Sequence, residues 1–135
     1  MAMRSALIVA LAVAATIAGC DSRVERATLA KVSGTVHHNG KPLAQGTIAF
    51  IPEKGRPASG KIQQGQIVEL TTYEPNDGVP LGKHKVTIVS VDQPAAGMYT
   101  KTTSLIPPKY NDPSQSGLTA EIQQGSNALK FELND

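Results

Sequence analysis

From Val32 onward the chain alternates apolar and polar residues and is broken at short intervals by glycine and proline. That is the period of strands, not of helices. Val32, Gly34 and Val36 alternate with Ser33, Thr35 and His37, and Asn39-Gly40 is a pair suited to a tight turn with positive φ. Thr47 to Pro52 predicts a second strand, apolar on both faces as in a buried sandwich strand. Ser59–Gln63 and Gln66–Thr72 read as a hairpin around Gln64-Gly65, and Gly82–Val91 as the longest strand. Leu118, Ala120 and Ile122 alternate with Thr119 and Glu121, and after Gln124-Gly125 the series Leu129, Phe131, Leu133 completes a predicted final hairpin. The tetrapeptide Ile-Gln-Gln-Gly occurs at 62–65 and again at 122–125, which reads as two similar turns. Seven short strands, no helical period, and twelve glycines with nine prolines predict an all-β fold, an antiparallel seven-stranded β-sandwich.

The first residues follow other rules. Arg4 precedes an apolar run from Ala6 to Ala18, interrupted only by Thr16, and small residues lead to Cys20, the three-part layout of an export signal. The run has 13 residues, against the roughly 20 a spanning helix needs. Ile17-Ala18-Gly19-Cys20 resembles a bacterial lipobox, in which the chain is cut before a cysteine whose thiol already carries a diacylglyceryl group. The resemblance implies a cleaved lipoprotein signal peptide over residues 1–19, lipid attachment at Cys20, and a mature protein on a membrane surface of the cell envelope, facing the periplasm or the cell exterior. An ordinary secretory signal with an incidental cysteine is the competing reading. One acyl chain holds a protein only marginally and two hold it stably; lipoproteins of this kind carry at least two, such as palmitate. Cys20 is the only cysteine, so the folded part has no intrachain disulfide.

Residues 20–30 then form a short, polar, membrane-proximal linker. Its ten residues from Asp21 to Ala30 reach at most about 35 Å. Residues 31–135, 105 in all, suffice for one small domain with a single core. Charge narrows the partners. Lys and Arg number 13 against 11 Asp and Glu; without residues 1–19, which hold Arg4 and no acid, the balance is 12 against 11. Scattered basic residues give nucleic acid no footing. Asp21, Arg23, Glu25 and Arg26 cancel beside the anchor, so the acyl chains must hold the protein to the membrane.

Val32-Ser33-Gly34-Thr35-Val36, Gly40-Lys41-Pro42-Leu43 and Gly46-Thr47-Ile48-Ala49-Phe50 are similar to the opening of carboxypeptidase regulatory-like domains. Pro80-Leu81-Gly82-Lys83-His84-Lys85-Val86-Thr87-Ile88 resembles a later strand of that family, with glycine first, a ring two residues on, and apolar alternation after it. The resemblance covers most of Val32 to Val89 and implies a transthyretin-like (prealbumin-like) sandwich over residues 31–135. These motifs specify fold and hardly function.

Catalytic chemistry finds little support. His37 and His38 are adjacent, so in a strand they point to opposite faces, and one zinc ion is not held by both. A site built from His37 or His38 with His84 and a carboxylate is the alternative reading, a small metal-dependent protein or enzyme. His84 stands where the resembled family often has an aromatic, which implies a packed ring. No Gly-x-Ser-x-Gly elbow is present. The C-terminus, Phe131-Glu132-Leu133-Asn134-Asp135, lacks the tyrosine-containing tetrapeptide of transthyretin-like hydrolases. An isopeptide between Lys31 and Asn134 is a further candidate, with no acid to assign beside it. The chain is therefore expected to be a non-enzymatic, lipid-anchored binding or structural module with no cofactor and no metal, its partner an envelope protein or glycan. Asp92 to Ser116 is long, proline-rich and carries Met98, Tyr99, Leu105, Ile106 and Tyr110. Ile106–Asn111 is expected to cover an edge strand; the competing role is a binding surface built on Tyr99 and Tyr110.

Overall fold

The structure, a computed structural model, describes residues 25–92 and 101–135. Nine strands lie among them: β1 (Leu29–His38), β2 (Lys41–Pro42), β3 (Gln45–Pro52), β4 (Ala58–Gln63), β5 (Gln66–Thr71), β6 (Val79–Pro80), β7 (Gly82–Val89), β8 (Leu118–Ile122) and β9 (Ser126–Leu133). All seven predicted strands are present. The two additions, β2 and β6, have two residues each and are too short to leave a period in the sequence.

Tight turns set two of the pairings in the sheet. Asn39 (φ 51°) and Gly40 (φ 79°) join β1 to β2, and Gln64 (φ 49°) and Gly65 (φ 78°) join β4 to β5. Positive φ at both central residues is the two-residue hairpin turn whose twist matches the flanking strands. Antiparallel pairing then continues from β5 to β4, β3, β7 and β8. In β3 the side chains of Ile48 and Phe50 are buried and those of Ala49 and Ile51 half-buried, so its two faces are less alike than the sequence predicts.

The final hairpin does not form. β8 pairs with β7, whereas β9 crosses to the far side of the sheet and lies parallel to β1 from Lys31↔Ser126 to His38↔Leu133. The sheet is thus mainly antiparallel, with one parallel pair made by the first and last strands. Gly34 makes the approach between them fit: a Cβ there would stand 2.8 Å from the Leu129 carbonyl oxygen and 2.9 Å from Ile67 Cδ1. The other edge of β1 meets β6, β5 and β2 in turn, at Leu29↔Pro80, Thr35↔Gln66 and His37↔Pro42. The domain therefore starts before residue 31, since Leu29 and Ala30 already pair.

Curling into a half-barrel brings the inner faces together over one core. Phe50 of β3 meets Phe131 of β9 with ring centroids 6.4 Å apart, and Ile48, Ile62, Ile88, Leu133 and Val86 are fully buried. Each such side chain contributes about 1.5–3 kcal/mol on burial. Phe131 and Leu133 face this core as predicted, and Leu129 is half-buried against it.

The half-barrel leaves a seam between β8 and β9, and side chains pin both ends of it. At one end the Asn127 amide accepts from Gln123 N (2.9 Å) and donates to Gln123 O (2.8 Å). At the other, the Tyr110 hydroxyl accepts from Asn134 N (2.9 Å) and donates to Asn134 O (3.0 Å). Each closes a donor and an acceptor that would otherwise lie open at an edge. Tyr110 sits in a 3-10 turn, Pro108–Asn111, whose segment continues along the edge of β7 that β8 leaves uncovered. Leu105 N donates to Ser90 O (2.8 Å), and Ser116 Oγ to Val86 O (2.7 Å). The segment from Leu105 to Ser116 covers this edge, its bonds made by the two flanking residues, while Ile106 and Tyr110 of the predicted Ile106–Asn111 cover enter the core.

Candidate functional site

Cys20 and Tyr99 lie outside the described residues. Tyr110 does not offer the exposed aromatic face expected of a binding residue: it is 5% exposed, and its hydroxyl is spent on Asn134. The 3-10 turn Pro108–Asn111 turns the Tyr110 ring into the core.

The three histidines are separated by their elements. His84, on the inner face of β7, packs edge-on against Phe50 (centroids 6.2 Å apart, planes at 84°) as a core ring. Its Nδ1–H donates to Gly82 O at 3.0 Å, while Nε2 is buried without a partner. Burial favours the uncharged ring and outweighs the Gly82 carbonyl, holding the imidazole below its ordinary range. His37 and His38 stand on β1 beside the last strand: His38 Nε2 lies 2.9 Å from Asp135 Oδ1, and His37 Nδ1 4.0 Å from Glu132 Oε1. Asn39 Nδ2 also donates to Asp135 (2.8 Å), and the Asn39 amide and then His38 hold that carboxyl below its usual value. These contacts fasten the C-terminus to the first turn. Among the described residues no three His, Cys, Asp or Glu side chains gather into a metal-binding group. The isopeptide candidate fails on topology: in the parallel pair Lys31 lies at the start and Asn134 beyond the end, and Lys31 Nζ donates to Asn76 O (2.6 Å).

What remains is surface chemistry, and the two ends of the half-barrel differ. Where β1 begins, charge dominates. Arg26 pairs with Glu74 at 2.9 Å, and Arg26 and Arg56 lie 5.5 and 5.8 Å from the centre of the Tyr73 ring. The Tyr73 hydroxyl accepts from Ala27 N at 3.0 Å, so the chain is fixed from its entry into the domain. Asp77 shapes the adjoining loop by accepting from the backbone N–H groups of Thr72, Tyr73 and Glu74 at 2.7–2.8 Å. Partial burial raises its carboxyl pKa, but these donors prevail and hold it below the ordinary value.

At the far end, beside the turn from β4 to β5, the surface lining is mainly amide. A cavity of about 450 Å³ is lined by residues including Ala44, Gln45, Gln63, Val89 and Val91, and one of about 520 Å³ by Ala44, Gln63, Gln64, Gln66 and Val68. They share Ala44 and Gln63 and so adjoin, giving this end an amide-lined, grooved surface. Gln45 Nε2 is fixed to Val91 O at 2.9 Å. Among the described residues the amides of Gln63, Gln64 and Gln66 make no side-chain hydrogen bond within the protein. A larger cleft of about 680 Å³ lies over Ile51, Lys83, Lys85, Thr119 and Glu121. Its charges are mixed, and Lys83 stands directly across from Glu121 in the ladder. Sequence reading recognised Gln64-Gly65 as a turn but not as one wall of a groove, because Ala44, Gln45 and Val91 reach it only through the fold.

Comparison with protein families, curated proteins and solved structures finds no match to the chain. The functional reading therefore rests on residues and geometry.

Proposed function

We propose that this protein is a lipid-anchored component of the cell envelope whose β-domain is a non-enzymatic binding or structural module. The observation that carries the reading is Ile17-Ala18-Gly19-Cys20 at the end of an apolar, export-type segment. Its supporting geometry is the start of the domain. Arg26, six residues after Cys20, is already tied to Glu74, so the domain stands within about 21 Å of the acylated residue. The described residues present an amide-lined surface and a mixed-charge cleft, which supports a binding role. The packing of Phe50 against Phe131 across the core supports a transthyretin-like sandwich as the finer description of the curled sheet.

The test is Cys20→Ser. Only the Cys20 thiol can accept the diacylglyceryl group, so the variant should accumulate as an unprocessed precursor or a released soluble form, with no acyl mass and no partition into a detergent phase. A processed, acylated species from this variant rejects the anchor.

A further inference from the structure

The charged end of the half-barrel is the end from which the chain leaves toward Cys20, and the amide groove is at the opposite end. β1 alone, with ten residues, spans about 33 Å between them. On the lipid-anchored reading above, which the next step takes over for the direction alone, the groove points away from the bilayer into the envelope. Its chemistry is unusual for this molecule. The two cavities are lined by four glutamines, Gln45, Gln63, Gln64 and Gln66, and by one charged side chain, Lys61, which Glu69 neutralises at 2.6 Å.

We infer that this groove binds a neutral, hydroxyl-rich glycan chain. An amide donates through nitrogen and accepts through oxygen, and a sugar hydroxyl does both in return. Gln63, Gln64 and Gln66 are exposed and present both groups to the groove. Gln45 is held in place by Val91. Half-buried Val68 and Val91 and exposed Val89 supply the apolar floor that the C–H faces of sugar rings require. Two adjoining open cavities suit a polymer better than a compact metabolite, which an enclosed pocket holds. A polyanion finds no unpaired cation along the lining, and a polycation finds no carboxylate there. A protein partner ordinarily engages an aromatic or arginine anchor, and the lining has neither.

The test uses the full-length acylated protein in detergent, pelleted with insoluble chitin, with cellulose, and with a polygalacturonate gel as the anionic control. Retention on chitin or cellulose is expected, equal at low and high salt because no ion pair is involved, and absent on polygalacturonate. The double variant Gln63→Ala/Gln66→Ala should weaken retention about tenfold through two lost hydrogen bonds. Lys83→Ala, in the other cleft, should leave it unchanged. Thermal melts of both variants establish that they are folded, and Ala44→Arg offers a second way of filling the groove at an exposed position. No retention on either neutral polymer, retention abolished by salt, or equal retention by the groove variants overturns the inference. So does self-association of the wild type that the groove variants lose, which assigns the groove to a second copy. Cys20→Ser separates the two readings: a failed anchor shows in detergent partition alone, a failed groove in the pellet alone.

Discussion

Ile62-Gln63-Gln64-Gly65 and Ile122-Gln123-Gln124-Gly125 carry the same four residues at opposite ends of the sheet. Both isoleucines are buried, at 1% and 2% exposure, so each tetrapeptide enters its turn from the same core. They part at the third residue. Gln64 takes φ 49° and Gly65 φ 78°, giving the hairpin turn, whereas at 124–125 only Gly125 is in the left-handed region, at φ 100°. After the first turn β5 returns along β4, Gln63↔Gln66 and Ile62↔Ile67. After the second, β9 leaves β8 and takes all eight of its partners from β1. The Asn127 amide then supplies to Gln123 the donor and acceptor that a returning strand supplies elsewhere. A turn sequence makes a hairpin only when the strand that follows has no better edge to join.

If β9 is held by its core face and its parallel ladder, the largest loss comes from Phe131→Ala. That change removes the contact with Phe50 and should cost about 3–5 kcal/mol, a large share of the roughly 5–15 kcal/mol of an ordinary small domain. Denaturant unfolding at constant slope measures it. A loss under about 1 kcal/mol denies Phe131 its place in the core.

The two glycines sharpen the contrast directly. Gly65→Ala puts a methyl 2.7 Å from Pro42 Cβ in a left-handed backbone, while Gly125→Ala meets nothing within 4 Å. Expected losses are about 2–3 kcal/mol for the first, strain plus overpacking, and about 1 kcal/mol for the second, strain alone. Equal melting shifts remove the distinction between a packed hairpin turn and an open crossover.

A third turn, Thr72–Gly78, depends on a carboxylate. Asp77→Ala should cost about 2 kcal/mol by leaving three backbone donors unpaired. Because the folded-state pKa of Asp77 is depressed, its contribution is fully present above the unfolded value, near about pH 4, and is lost as pH falls through the folded value. Asp77→Asn should therefore flatten the acid limb of the stability curve, which Gly65→Ala leaves unaltered. An acid limb identical to wild type in Asp77→Asn contradicts this account. Asn127→Ala, at the crossover, should cost about 1 kcal/mol and speed amide exchange at Gln123; unchanged exchange there means the seam is held by other contacts.

These contrasts also mark what the sequence disclosed. Alternation located seven strands, because burial of one face writes itself into every second residue, as Phe131 and Leu133 show. It did not disclose that β9 joins β1: the apolar series looks the same whichever edge the strand joins. Two-residue strands such as β6 have no period to detect. Whether Tyr110 belonged to an edge cover or to a binding surface was open in the sequence, because its partner, Asn134, lies 24 residues away. The amide groove was equally hidden, since Ala44 and Gln64 become neighbours through the Gln64 N to Ala44 O bond of 2.9 Å.

The smallest effect belongs to Lys130→Ala. Lys130 lies between Leu129 and Phe131 on β9, with its side chain exposed and 3.1 Å from Glu132, itself nearly half exposed. An ion pair of this kind contributes about 0–1 kcal/mol, and an alanine in its place disturbs neither the ladder with Thr35 nor the core. A loss within about 0.5 kcal/mol is expected, against several for its neighbour Phe131. The comparison tests the register of β9 itself, because a shift by one residue exchanges the faces of the two side chains. Were Lys130→Ala as costly as Phe131→Ala, the parallel pairing with β1 would be misregistered, and the account of the crossover with it.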